Sequence, residues 1–277
     1  MDVDSTATAS DRSAKAATAA RIYDVFLGGV HNFPADQEAA RRVAAAMPAA
    51  PAMARANRAF LGRAVRFLAD AGVRQFLDLG SGMPTQGNVH EIAQGIDPEA
   101  RVVYVDIDPV AVSESQELLE GNDHATAIQA DLRQPAAILD HPRVRKLLDF
   151  DRPVGLLLCA VLHFVPDDDQ AYGLVSRFRA ALAPGSWMVV SHGANEGAAV
   201  TVTQAEHGEI QGVYGQRTAT PAGGRSHEGV ARFFGDADVV DPGIVWAPEW
   251  HPAPDDPADF AHDPRQSCLW AGVARLR

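Results

Sequence analysis

Cysteine, lysine and uninterrupted apolar stretches are the scarce features of this 277-residue chain. Cys159 and Cys268 are the only cysteines and lack CxxC spacing, so neither a disulfide scaffold nor a thiolate metal centre is expected. Both lie in apolar runs and read as reduced, packed thiols. No stretch approaches the roughly 20 apolar residues of a membrane span. The first 20 residues carry Asp2, Asp4 and Asp11 and lack a signal peptide's apolar core, so a cytoplasmic location is expected. Lysine occurs only as Lys15 and Lys146, and 24 Lys and Arg face 36 Asp and Glu, a formal net charge of -12. That balance argues against nucleic acid or an anionic membrane as partner, because cations on phosphate supply most of the affinity for either. His31, His163 and His192 show no local pair such as HxxxH, so no metal is expected. No GxSxG elbow marks a serine hydrolase.

What is present suffices for a substantial core: 47% of residues are hydrophobic, and a chain of this length buries roughly 75% of its unfolded surface. Residues 1–18 are small and polar, and the sequence predicts a disordered tail there. An N-terminal helical cap or lid is expected over 19–73. It starts with the interleaved aromatic segment RIYDVFLGGVHNF, followed by one helix from Pro34 to Met47 and a second from Pro51 to Gly72. In the second, Phe60, Leu61, Ala64, Val65 and Leu68 repeat at helical spacing while Arg55, Arg58, Arg63 and Arg66 crowd other faces.

From residue 74 to the end a single core domain is expected. Strands are predicted over 74–79, 101–106, 125–129, 154–162 and 187–191, with helices between them, one of them opened by Asp108-Pro109 as cap and first residue. This alternation implies an α/β fold, a doubly wound, mostly parallel sheet with helices on both faces. Helices are predicted over 201–214 and 226–234. Late strands at 238–246 and 267–274, with no long helix between them, imply an antiparallel pair at one edge.

In such a sheet ligands bind beyond the carboxyl ends of the strands. The first strand ends in Asp78-Leu79-Gly80-Ser81-Gly82-Met83-Pro84, where two glycines let a ligand approach the backbone. The second ends at Asp106, suited to a ribose, and the third at Asp131 beside Leu132, suited to an adenine edge. Each aspartate alone reads equally as a solvated or capping residue. Three in register after three consecutive strands point to a nucleoside-bearing ligand.

This set resembles the class I S-adenosylmethionine-dependent methyltransferases, a Rossmann-like sheet of seven strands with the last antiparallel. The resemblance implies that Asp78, Gly80, Ser81 and Gly82 hold the methionine part of S-adenosyl-L-methionine. It further implies that Asp106 with Ile107 holds the ribose and that Asp131 with Leu132 holds the adenine. The blocks RIYDVFLGGVHNFPADQ, NRAFLGRAVRFL, FLDLGSGMPTQGNVHE, VVYVDIDPVAV and VDPGIVW are similar to an actinobacterial S-adenosyl methyltransferase family formerly catalogued as a domain of unknown function. The acidic, proline-rich stretch 255–263 departs from what that resemblance covers. A small-molecule methyl acceptor is expected, since CAVLHFVPD stands where amino-methylating enzymes often carry Asn/Asp-Pro-Pro-Tyr.

Tyr23, Asn32 and Arg58 are candidates to contact the amino-acid end of the cofactor or the acceptor, Arg58 through its planar fork. The alternative makes Tyr23 and Phe33 core anchors and Arg58 a surface residue. His163, after the fourth strand, is the first candidate base, and His192, after the fifth, the second. Two rival readings remain at this point: a silent S-adenosylmethionine sensor, and a nicotinamide-dependent oxidoreductase, which would have no use for Asp131.

Overall fold

The computed structural model describes residues 16–84, 87–196 and 223–277. Strand and helix alternate after Gly72 to build one sheet in the order β3-β2-β1-β4-β5-β8-β6. Its strands are β1 (Gln75–Leu79), β2 (Arg101–Asp106), β3 (Ala125–Gln129), β4 (Gly155–Cys159), β5 (Trp187–Gly193), β6 (Asp238–Val239), β7 (Val245–Trp246) and β8 (Leu269–Arg275). The first five are parallel. β8 runs antiparallel beside β5, and both β6 and β7 pair antiparallel with β8. The single late strand expected over 238–246 is therefore two short ones, which makes eight strands among the described residues rather than seven. A turn in which the Gly243 N–H donates to Val240 O at 2.8 Å breaks it.

Alternation along the strands sorts side chains to two faces. Phe76, Val102, Leu157, Val189 and Val273 pack against Phe60 and Leu68 of α3 (Ala50–Asp70), Val89 and Ala93 of α4 (Val89–Ile96) and Val112 of α5 (Pro109–Leu118). Leu77, Val103, Leu156, Leu158 and Val190 pack on the other face. Their partners there come from α6 (Pro135–Leu139), α7 (Pro142–Leu147), α8 (Asp168–Ala180) and α9 (His227–Phe234). Each large apolar side chain buried here contributes about 1.5–3 kcal/mol. Asp108 caps α5 as expected, accepting from the Val110 N–H at 2.9 Å, and Ser226 caps α9. The helix expected over 201–214 lies outside the described residues.

The N-terminal region forms α1 (Ala19–Phe26), α2 (Pro34–Ala46) and the first part of α3, around a small core of Ile22, Ala39, Ala40, Val43 and Ala50. Of the tail expected over 1–18, residues 1–15 lie outside the described residues, but Ala17 is buried in that small core and Thr18 caps α1. The Thr18 hydroxyl donates to Asp108 Oδ2 at 2.6 Å. A long-range partner orders these two residues, which local composition could not reveal.

One arginine of α3 departs from the expected pattern. Arg63 is buried, donating through Nε to Trp250 O and through Nη2 to Ala247 O, each at 2.7 Å, and pairing with Asp256. Arg55 grips Asp259 with two bonds of 2.8 Å. The acidic, proline-rich stretch is thus folded across α3, and its carboxylates neutralise arginines of that helix. Among the described residues no helix is long and apolar enough to cross a membrane.

Candidate functional site

The carboxyl ends of β1, β2 and β4 meet at the point where strand order reverses, between β1 and β4. Gly80 and Gly82, in the turn after β1, have φ of 73° and 67°, the left-handed region that favours glycine. They differ in surroundings. A Cβ at Gly80 would lie 2.3 Å from Val161 Cγ2, whereas one at Gly82 would meet nothing within 4 Å. Gly80 lets the turn pack against the segment after β4, and Gly82 faces open space. Gly80→Ala is therefore expected to destabilise the protein by roughly 2–4 kcal/mol, and Gly82→Ala by only about 1–2, the backbone cost alone. Equal losses in urea denaturation would contradict this division.

Asp106 closes the turn from the β2 side. Its Oδ2 accepts the Gly82 N–H at 2.7 Å and its Oδ1 the Asp108 N–H at 2.9 Å. Burial pushes the Asp106 carboxyl above the usual range, and these two amides oppose that rise. Beside it Ile107 is 57% exposed, a large apolar side chain left facing solvent next to a buried carboxylate.

At the turn lies a narrow cleft with Arg58, Asp78, Ser81, Gly82, Met83 and Tyr104 among its lining. The Tyr104 hydroxyl accepts the His90 main-chain N–H at 2.8 Å and meets His90 Nδ1 at the same distance. Asp78, in register with Tyr104, is 4% exposed. Burial pushes its carboxyl up to about 7; the nearby Arg58 guanidinium works against that rise and Asp106 adds to it. Burial raises the Tyr23 hydroxyl above its ordinary value, and the Arg58 guanidinium opposes that rise as well.

Asp131 stands after β3, and Leu132 packs partly buried on the core. Burial would raise the Asp131 carboxyl, but Arg133, bonding it through both Nε and its main-chain N–H at 2.9 Å, brings it below the usual range.

The remaining candidates divide. Tyr23 donates its hydroxyl to Ala54 O and accepts from Asn57 Nδ2, both at 2.9 Å. Asn32 shapes its own loop: its amide donates to Asp24 Oδ2 at 2.8 Å and Gly29 O at 2.9 Å, and its oxygen accepts from Gln37. Thus the hydrogen-bonding groups of Asn32, expected to meet cofactor, all meet protein. His192 is fully buried and engaged at both nitrogens, with Gly193 O at Nδ1 and Arg225 Nη1 at Nε2, each 2.8 Å away. Since Arg225 can only donate, His192 Nε2 is its acceptor and Nδ1 carries the proton. Burial is the first cause that drives His192 down to about 4. His163 differs, because its Nδ1 is buried and makes no hydrogen bond. Burial, then His192 and Arg225, drive it down to about 3.

Sequence reasoning missed Arg225. Arg225, 6% exposed, donates to Leu162 O, Val165 O and Asp168 Oδ1 as well as to His192, and so binds the start of α9 to the tips of β4 and β5. An arginine in a Gly-, Thr- and Pro-rich segment carries no local sign of that role.

No curated protein matches this chain significantly. Among solved structures it is similar to a protein of Thermobifida fusca YX described as a candidate methyltransferase, with 38% identity, coverage of 96% of this chain and 97% of that one, and a TM-score of 0.86. It is also similar to a DUF574 family protein of Streptomyces avermitilis MA-4680, with 41% identity, 95% and 98% coverage, and a TM-score of 0.85. The S-adenosyl methyltransferase family matches residues 5–277. An eight-stranded sheet with a glycine turn and buried carboxylate at its switch point, matched over nearly its whole length in this way, belongs to the S-adenosyl methyltransferase family.

Proposed function

We propose that this methyltransferase binds S-adenosyl-L-methionine in the crevice between β1 and β4 and transfers its methyl group to a small molecule in the cytoplasm. The observation that carries the reading is Asp106, a buried carboxylate fixed by the Gly82 and Asp108 amides beside the exposed Ile107. A ribose diol and the adjoining adenine face need such a juxtaposition of acceptor and apolar surface. The open position at Gly82 fits close approach of the cofactor to the backbone. Asp78 and Arg58 would hold the ammonium and carboxylate of its methionine end, and Asp131 and Leu132 the adenine edge. When bound, the cofactor supplies a methyl group on a sulfonium, open to in-line displacement.

Calorimetry with S-adenosylhomocysteine, followed by a labelled-methyl assay against cell extracts, tests this reading. Binding with no labelled product would favour a sensor. Binding of a nicotinamide dinucleotide instead would overturn the cofactor assignment.

The elevated Asp78 carboxyl gives a pH signature. In the free protein the folded state retains its proton between the ordinary 3.8 and about 7, so Asp78 disfavours folding increasingly as pH rises through that window. Pairing with a ligand ammonium favours the ionised form, so binding below pH 7 releases a proton. Affinity for S-adenosylhomocysteine should rise by up to about tenfold per unit between pH 5 and 7, then level off. A flat profile would sink the pairing.

His163, driven down to about 3 by burial first, is a neutral imidazole throughout the working pH range. We assign it to accepting a hydrogen bond from the substrate. His163→Ala should reduce turnover by about tenfold, less than the 10²–10⁴ of a full general base. An inflection near pH 6 in the rate profile that disappears in the variant would show that His163 titrates during turnover.

A further inference from the structure

A chain of hydrogen bonds runs from the N-terminal helix to the tip of β4. Ala54 O accepts from the Tyr23 hydroxyl, which accepts from Asn57 Nδ2; Asn57 Oδ1 accepts from the Ser191 hydroxyl. Ser191 Oγ in turn accepts the Ala160 main-chain N–H at 3.0 Å, a proton shared with Ser191 O at the same distance. Asn57 is 4% exposed and Ser191 fully buried. The donors and acceptors run in one direction, from the Ala160 N–H to Ala54 O.

The chain ends on an unusual residue. Ala160 has φ of 52°, left-handed backbone that a non-glycine residue holds only when its surroundings impose it. It follows β4 directly, and the next residue, Val161, is the one that abuts Gly80 across the switch point. The conformation of Ala160 therefore sets how closely the β4 wall approaches the glycine turn.

We propose that Ser191 and Asn57 are positioning residues of the crevice, holding Ala160 left-handed and Val161 against Gly80, with Tyr23 coupling the docking of α1 to the shape of that wall. The inference rests on reading the crevice as the S-adenosylmethionine site. Neither residue touches the cofactor in this scheme; both act through the backbone at 160–161.

The test uses the full chain and two readouts. Ser191→Ala should weaken S-adenosylhomocysteine binding by about tenfold at a temperature where the variant is fully folded, the effect of one buried hydrogen bond. It should also speed hydrogen exchange of the Ala160 amide several-fold in the ligand-free protein. A purely structural role would lower the melting temperature and leave affinity unchanged. Asn57→Ala should produce a similar loss, and the double variant little more than either single change, because the two act as one unit. If Ser191→Ala does not fold, Tyr23→Phe, which removes only the outermost hydroxyl, should still weaken binding about threefold. Folded variants that bind within twofold of the parent, or losses that add in the double variant, would overturn the proposal. If the parent itself binds no S-adenosylhomocysteine, the cofactor reading fails, and the exchange rate alone decides whether Ser191 holds Ala160.

Discussion

Replacing Asp106 with alanine should weaken S-adenosylhomocysteine binding by about a hundredfold. Two effects combine. The variant removes the acceptor proposed for the ribose, and it leaves the Gly82 and Asp108 amides, now bound at 2.7 and 2.9 Å, without their partner. Hydrogen bonds to a charged group contribute about 1.5–3 kcal/mol each, so the loss of one ligand bond and of the turn's preorganisation amounts to roughly 3 kcal/mol, the stated hundredfold. Asparagine should not rescue it. Both Asp106 oxygens accept main-chain protons, and an amide would set its own NH2 against one of those N–H groups. Ile107→Ala should cost less, since a half-exposed aliphatic face loses only part of its burial on binding. Isothermal calorimetry on the three variants gives the ranking, and an Asp106→Ala protein that binds within threefold of the parent would remove this carboxylate from the site.

Much of this arrangement was legible because it is local. The strands at 101–106 and 125–129 were expected with the boundaries the structure shows, since each is a short β-rich run stopped by an acidic turn. The switch-point rule then placed Gly80, Gly82 and Asp106 together without any knowledge of packing. What escaped reading depends on residues far apart in sequence. Arg63 looked like one more surface charge of α3 because its partners, Ala247, Trp250 and Asp256, lie more than 180 residues away. His192 looked like a candidate base until Arg225, 33 residues on, proved to fill its Nε2. Asn32 sits in a motif-like cluster, yet the geometry gives it the task of tying a loop to Asp24. In each case the residue type was visible and the partner was not. The break between β6 and β7 is different, because its sign is local: Asp241-Pro242-Gly243 is a turn signal, and the apolar residues on both sides of it made 238–246 read as one strand.

The same long-range logic yields the largest expected stability effect, at Arg21. Its Nε bonds Asp36 Oδ2 at 2.9 Å and its Nη1 bonds Asp108 Oδ2 at 3.0 Å, with the three side chains 3%, 0% and 3% exposed. Arg21→Met keeps the apolar stem and removes the charge, leaving two buried carboxylates uncompensated, which typically costs about 3–5 kcal/mol. For a domain of this size that corresponds to a melting temperature lower by roughly 10 °C. The exposed Arg55–Asp259 pair provides the contrast: although bidentate, its side chains are 43% and 22% exposed, and Arg55→Ala should cost under about 1 kcal/mol. Comparable losses at the two sites would show that burial is not what gives Arg21 its weight. Changing Asp36 to Asn in the Arg21→Met background should recover part of the stability, because one of the two stranded charges is then gone. The effect should also reach the cofactor. Asp108 is anchored by Arg21 and Thr18, and its main-chain N–H is one of the two that fix Asp106, so loosening the N-terminal segment slackens the carboxylate proposed to hold the ribose. Arg21→Met protein held well below its melting temperature should therefore bind S-adenosylhomocysteine more weakly than the parent, whereas Arg55→Ala should bind it equally well.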